Sequence, residues 1–240
     1  MIFERRRYTV RAGMHNEFIR LQHVRGFDGA IGAIMSRLIG YFSTDSDASE
    51  EFVHLYRYDD FADWLTRLHG LYEVPELQAY FLAVRPILLR QESDFFLPAP
   101  IDELIPLWSR DNDWLPGAGG LNWDLRETPD LIVEETTISL IPGGLTRYWA
   151  AMDEFGSTML SSPRRDMLAT WHSMTGRLHV VVSYVVYRSM ADRDALRTAA
   201  RENDATIAFD NAVRDIVIGH DTTILRPVHV SAMSPMFVLD

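Results

Sequence analysis

The chain has 240 residues, 47% of them hydrophobic, and a formal net charge of −11, a globular composition long enough for two compact domains. Cysteine is absent and all 23 basic residues are arginine, which excludes disulfides, thiolate nucleophiles, zinc–thiolate and iron–sulfur sites, lysine Schiff bases and the phosphate-cradling lysine of a P-loop. The acidic balance argues against nucleic acid or an anionic membrane as the main partner.

Residues 2–11, rich in Tyr, Thr and Val, read as a strand that stops at Ala12-Gly13. Met14, Phe18 and Leu21 then share one face of a helix. Leu38 to Ser43 and Phe52 to Tyr58 make a hairpin around the polar turn Thr44 to Ser49. Asp59-Asp60 caps a segment from Phe61 to Leu71, and Pro75 opens a helix along Leu77, Tyr80, Phe81, Val84 and Leu88. Glu92 to Leu97 is the last strand, closed by Pro98-Ala99-Pro100.

Residues 99–130 carry Trp108, Trp114 and Trp123 beside Pro116-Gly117-Ala118-Gly119-Gly120. A flexible tether is poor in aromatics, so this segment reads as packed, either as a strap over core or as a lid over a ligand pocket.

Beyond it the same order returns. Leu145, Tyr148, Trp149, Met152 and Phe155 mark a helix, Thr170 and His179 to Tyr187 fall in a hairpin, Asp192 to Arg201 and Asp204 to Val217 are helical, and Thr222 to Arg226 is a strand. Glu4 to Gly13 lies over Glu134 to Gly143, 130 positions on, and Val53 to Tyr58 lies over Val182 to Tyr187, 129 on. Val84 to Pro98 lies over Val213 to Pro227, again 129 on. An offset that drifts by one residue over a domain indicates duplication. The longest apolar stretch, Val180 to Tyr187, is broken by Ser183 and falls far short of the ~20 residues of a membrane span. The N-terminus lacks the apolar core of a signal peptide, and a cytoplasmic location is expected.

Each half therefore reads βαββαβ, an α+β pattern giving a four-stranded antiparallel sheet with helices on one face, the ferredoxin-like arrangement. The expected organisation is a domain over 1–100, a Trp-containing packed linker over 101–130, and a second, diverged domain over 131–240. The uncovered sheet faces predict an intramolecular pseudo-dimer, with which a homodimer of the whole chain is compatible.

Strand alternation puts Glu4, Arg6 and Tyr8 on one face, and His54, Tyr56 and Tyr58 on one face with Leu55 and Arg57 opposite. A carboxylate, a guanidinium, an imidazole and phenols suit binding of an aromatic hydroxyl or carboxylate and abstraction of a phenolic proton. The same residues also read as structural: a buried Glu4–Arg6 or Arg57–Glu92 pair, with His54 hydrogen-bonded in the core. His15 and His23, eight apart, lack metal-ligand spacing. Trp171-His172 and His220-Asp221 read as haem-ligand or acid–base pairs, or as ordinary surface and core. No Gly-x-Ser-x-Gly, Gly-x-Gly-x-x-Gly or Walker pattern occurs, and no cofactor is expected.

Residues 1–100 resemble the NIPSNAP family, within the wider dimeric α/β-barrel class. The resemblance rests on Glu4-x-Arg6-x-Tyr8-Thr9 ending in Gly13, Gly40-Tyr41-Phe42, His54-Leu55-Tyr56-Arg57-Tyr58, Gln91-Glu92-Ser93 and Pro98-Ala99-Pro100. It implies the fold and a cavity, and relatives in the wider class include cofactor-free monooxygenases of polyketide quinone pathways, haem-dependent enzymes and small-molecule binders. The function expected is a small-molecule enzyme or binder for an aromatic, polyketide-like ligand, working as a cofactor-independent monooxygenase. His54, Arg57 and Glu92 are its candidate catalytic residues, and Glu4, Arg6, Tyr8, Tyr41 and Tyr56 its candidate ligand-binding residues. A non-catalytic scaffold with filled cavities is the alternative, and a haem protein a third reading. Ser183, Val186 and Asp221-Thr222 replace His54, Arg57 and Glu92-Ser93 in the second half, so a site needing a base and a cation is expected in the first.

Overall fold

The computed structural model describes residues 1–44, 50–117, 123–159 and 167–239; most of the turn expected before residue 50 and the glycine-rich run 118–120 lie outside them. The first repeat runs β1 (Ile2–Val10), α1 (His15–Arg25), a short α2 (Gly32–Met35), β2 (Leu38–Thr44), β3 (Glu50–Tyr58), α3 (Phe61–His69), α4 (Pro75–Val84) and β4 (Leu88–Pro98). A two-residue β5 (Trp123–Asp124) precedes the second repeat: β6 (Ile132–Leu140), α5 (Gly144–Met159), β7 (Met167–Ser173), β8 (Val180–Tyr187), α6 (Met190–Arg201), α7 (Asp204–Val213) and β9 (Val217–Pro227). A short β10 (Phe237–Val238) follows. Both repeats are βαββαβ.

Local chemistry sets the boundaries. Gly13 and Gly143 turn the chain after β1 and β6 with φ of 78° and 80°, a left-handed conformation that costs glycine little. Glu50 takes the Gly13 and His15 amides on its two carboxylate oxygens, both at 2.8 Å, tying the start of α1 to β3. The Asp60 and Ser189 side chains accept from the amides three residues on at 2.9 and 3.1 Å and cap α3 and α6. The helix expected over Asp204 to Val217 ends at Val213, because the β-branched Val217 joins the sheet opposite Leu140. Both closing strands start earlier than their polar centres suggest, at Leu88 and Val217.

The chain forms two compact units, Met1–Phe95 with Leu115–Arg126 and Arg226–Asp240, and Phe96–Trp114 with Glu127–Leu225. In the first, β3 lies between β1 and β2 and β4 borders β1, while α1 packs on α4. Residues 226–240 complete this unit: the Val228 amide donates to the Tyr41 carbonyl at 3.1 Å, and Phe237 sits edge-on to Phe42 with centroids 6.0 Å apart. In the second, β6 lies between β8 and β9, and β8 pairs with β7, with α5 against α7. Phe96 to Pro98 extend this sheet along β7.

The described part of the segment after residue 99 is anchored through its tryptophans. Trp108 is buried in the second unit, its indole N–H donating to the Trp114 carbonyl at 2.7 Å. Trp123 meets Phe237 in the first, 5.8 Å between centroids. Arg110 pairs with Asp102 and Glu103, and Arg126 with Asp124. Trypsin should consequently cut slowly after Arg110 and Arg126 in the native protein, since cleavage needs local opening. Rapid release of two intact fragments on a gel time course would show a loose tether instead.

Candidate functional site

Register brings the polar residues of the first repeat into rows. Arg6 stands opposite His54, and His54 opposite Tyr41; Glu4 stands opposite Tyr56. These side chains face the helices, for Tyr8 meets Phe18 of α1 at 6.0 Å between ring centroids. Glu4 is 1% exposed and receives four hydrogen bonds: two from Arg6 at 2.7 and 2.8 Å, one from Tyr58 at 3.2 Å and one from Ser93 at 2.5 Å. The Arg6 guanidinium also lies 4.7 Å over the Tyr56 ring. Burial works against its charge, yet Tyr56 and Glu4 outweigh that and hold its pKa well above the ordinary arginine value.

This node is closed. A buried ion pair with every acceptor filled is costly to break from one side. Glu4→Ala should therefore destabilise the fold by about 3–5 kcal/mol in urea titration, leaving a buried guanidinium; a loss under about 1 kcal/mol would show that the pair is solvated.

The neighbouring row is different. His54 and Tyr41 are buried with rings 3.9 Å apart, and the Tyr8 ring, on the strand to the other side of His54, lies tilted against it at 4.7 Å. His54 Nδ1 shares a 3.2 Å hydrogen bond with the Tyr56 hydroxyl. His54 Nε2 and the Tyr41 hydroxyl, both shielded from solvent, have no hydrogen-bond partner among the described residues. Buried polar atoms are nearly always paired, and these two are neighbouring exceptions. Burial, reinforced by the positive charges of Arg6 and Arg25, pushes the His54 pKa well below its usual 6.5 and keeps the imidazole neutral. Burial also raises the Tyr41 hydroxyl well above its usual 10 and the Tyr56 hydroxyl to about 12, so both stay protonated as donors.

Glu4, Arg6, Tyr8, Tyr41, His54 and Tyr56 thus lie together. Arg57 does not join them: it projects from the opposite strand face and pairs with Asp59, beside Arg37. Glu92 is half-exposed and pairs with Arg90, so the expected Arg57–Glu92 pair is not formed, and Ser93, itself exposed, reaches the Glu4 carboxylate instead. Four further residues border the site: Tyr58, Ser93, and Gln22 with Tyr80, whose side chains meet at 2.8 Å. Arg25 lies 5.3 Å from the Tyr80 ring. Tyr80 was visible only as part of a helical stripe, and Gln22 follows Leu21 on α1 without any periodic signal.

Three other histidines make ring contacts: His15 with Phe52 at 4.7 Å, His23 with Phe27 at 5.6 Å and His172 with Trp149 at 5.8 Å. Among the described residues no three acidic or histidine side chains gather as a metal site, and no helix is long and apolar enough to cross a membrane.

In the second repeat Ser183 and Thr170 occupy the places of His54 and Tyr41, and their hydroxyls satisfy each other at 2.9 Å. There the polar row is closed on itself.

The family model described as NIPSNAP matches twice, over residues 3–102 and 133–232. The chain belongs to the NIPSNAP family. It holds two tandem NIPSNAP repeats of the dimeric α/β-barrel class. No curated protein matches it. Among solved structures it is similar to a candidate monooxygenase from Lactobacillus acidophilus NCFM, 13% identical over 94% of this chain and 92% of that one, with a TM-score of 0.57. A second such protein, from Fusobacterium nucleatum, is 10% identical over 95% and 92%, with a TM-score of 0.57. An anthrone oxidase-like protein is 15% identical over 95% and 91%, with a TM-score of 0.56. At these identities the likeness shows the fold alone.

Proposed function

We propose that the first repeat binds an aromatic, polyketide-like small molecule between its sheet and helices α1 and α4, and oxidises it as a cofactor-independent monooxygenase. The observation that carries this reading is the adjacent pair of buried, unpartnered polar atoms, His54 Nε2 and the Tyr41 hydroxyl. The likeness to a candidate monooxygenase and an anthrone oxidase-like protein supports it.

With Nδ1–H donating to the Tyr56 hydroxyl, Nε2 keeps its lone pair and serves as a general base. It takes a proton from an activated ring CH₂ or phenol of the ligand, and the Tyr41 hydroxyl donates to the oxygen on which charge develops. The electron-rich anion then reduces dioxygen. One oxygen becomes a ring carbonyl and the other leaves as water with the two hydrogens of the CH₂, so ligand and dioxygen balance with no external reductant. Arg6, charged and fixed by Glu4, favours the anion electrostatically. Arg57 and Glu92, pointing elsewhere, have no part in this step.

The test is a thermal-shift screen of the whole chain against aromatic acids, hydroxyarenes and quinones, followed by oxygen-electrode assays of whatever binds. Stabilisation by hydroxyarenes with oxygen uptake is expected, in a protein whose visible spectrum is featureless; a Soret band would establish haem instead. Tyr41→Phe separates this reading from a scaffold with a filled cavity. Removing an orphaned buried hydroxyl should stabilise the fold by about 1 kcal/mol while weakening the ligand. Equal stabilisation with no ligand from the screen binding either form would favour the scaffold.

A further inference from the structure

We propose that the second repeat carries a separate site for an oxyanion group, carboxylate or phosphate, of a small metabolite, in the cleft between α6 and β9. The cleft has a volume of about 440 Å³ and is lined by Arg193, Asp194, Arg197, Thr198 and Arg201 of α6 and by Thr222 of β9. That volume falls in the range of pockets that hold small metabolites, roughly 300–1,000 Å³. The three arginines follow one another at four-residue intervals along one helix face, against a single lining carboxylate, Asp194. In a chain of net charge −11 such a concentration of positive charge attracts anions selectively.

Part of this charge is engaged, and the manner of engagement matters. Glu134, buried at 5% exposure, accepts from Arg193 Nε and from Arg197 Nη1, and Asp194 accepts from Arg193 Nη1. A guanidinium has five N–H donors, so both groups keep donors for another partner while Glu134 holds them in place. Fixing the arginines beforehand lowers the ordering cost of binding. Arg201 is exposed and has no ion-pair partner among the described residues. The Thr222 hydroxyl adds a donor suited to a remaining oxygen of a carboxylate or phosphate, while Thr198 lines the cleft with its hydroxyl donating to the Asp194 carbonyl at 2.9 Å.

The first repeat shows what this arrangement replaces. There the equivalent carboxylate, Glu4, is satisfied by Arg6 on its own strand and by Ser93. The helix positions matching Arg193 and Arg197 are Trp64 and Leu68, and Trp64 packs edge-on against Phe95 at 5.3 Å. In the second repeat Thr136 stands at the place of Arg6, Thr222 at that of Ser93, and the counter-charges come from α6 instead. The node that is closed and apolar-clad in one repeat is open and cationic in the other.

The test is isothermal titration of the full chain with inorganic phosphate and with succinate, at ionic strength held constant with chloride. One-site saturable binding of either anion is expected, and which one binds tells phosphate from carboxylate. Arg201→Gln, at an exposed position that leaves the Glu134 pairs intact, should weaken binding roughly tenfold, Thr222→Val should weaken it less, and His54→Ala should leave it unchanged. Failure of both anions to saturate, binding untouched by Arg201→Gln, or loss of binding in His54→Ala would each overturn the proposal, the last by placing the anion in the first repeat.

Discussion

Alanine in place of His54 should lower ligand binding or turnover by roughly ten- to a thousandfold, the range expected when a general base or a charge-stabilising group is removed. The imidazole is the natural centre of the effect. Its Nε2 is unpartnered, its Nδ1 is held by Tyr56, and it is clasped between the Tyr8 and Tyr41 rings. Matching changes at Ser183 should act only through packing, because Ser183 already spends its hydroxyl on Thr170. The pH profile supplies a sharper test. The His54 pKa lies well below 6.5 in the folded chain, chiefly through burial, so the base form persists through neutral pH and the acid limb of the rate should fall at lower pH than for an ordinary histidine. Stability follows the same depressed pKa. The unfolded chain binds the His54 proton more readily, so stability is retained above about pH 6.5 and declines as the pH drops from there towards the folded-state value. Denaturant midpoints measured across pH 4–8 should show part of that slope vanish in His54→Ala. A variant with unchanged turnover and an unchanged slope would reduce His54 to core packing.

Much of this arrangement is legible in the sequence because it depends on short-range periods. The 129- and 130-residue offsets announce the repeat, and alternation puts Glu4, Arg6 and Tyr8 on one face, with His54 and Tyr56 on another. The register of β1 against β3 then joins these faces. The harder cases have physical causes. Around Glu92 the strand ends in Phe95, Phe96 and Leu97, apolar on both faces, so parity gives no sign that Ser93 rather than Glu92 points to Glu4. Gln22 and Tyr80 meet only because α1 packs on α4, a pairing between elements some 58 residues apart in sequence. Glu134 is read by arginines 59 and 63 residues further on, and no local pattern on β6 marks it as different from Glu4.

Residues 1–100 expressed alone should self-associate or precipitate, while the full chain remains well behaved. The fragment keeps β1 to β4 but loses what completes its unit. Met233, Met236 and Phe237 are buried, and the segment that carries them donates to the Tyr41 carbonyl from the Val228 amide and the Ser234 hydroxyl at 3.1 and 3.4 Å. Without it, the Phe42 side, now 0% exposed, meets water, and β2 presents an unpaired carbonyl at Tyr41. Exposed apolar faces and open strand edges are covered or they aggregate. The same sheet face carries Phe3, Val53 and Leu55, each fully buried in the whole chain, so the loss falls on one continuous apolar face. Burying a side chain of this size contributes roughly 1.5–3 kcal/mol, so losing a few such contacts removes an amount comparable to the roughly 5–15 kcal/mol stability of an ordinary domain. Light scattering and sedimentation of the fragment give the readout. A soluble monomer unfolding at the same denaturant concentration as the full chain would mean that the first repeat closes its own core, and the expectation of an intramolecular pseudo-dimer would fall with it.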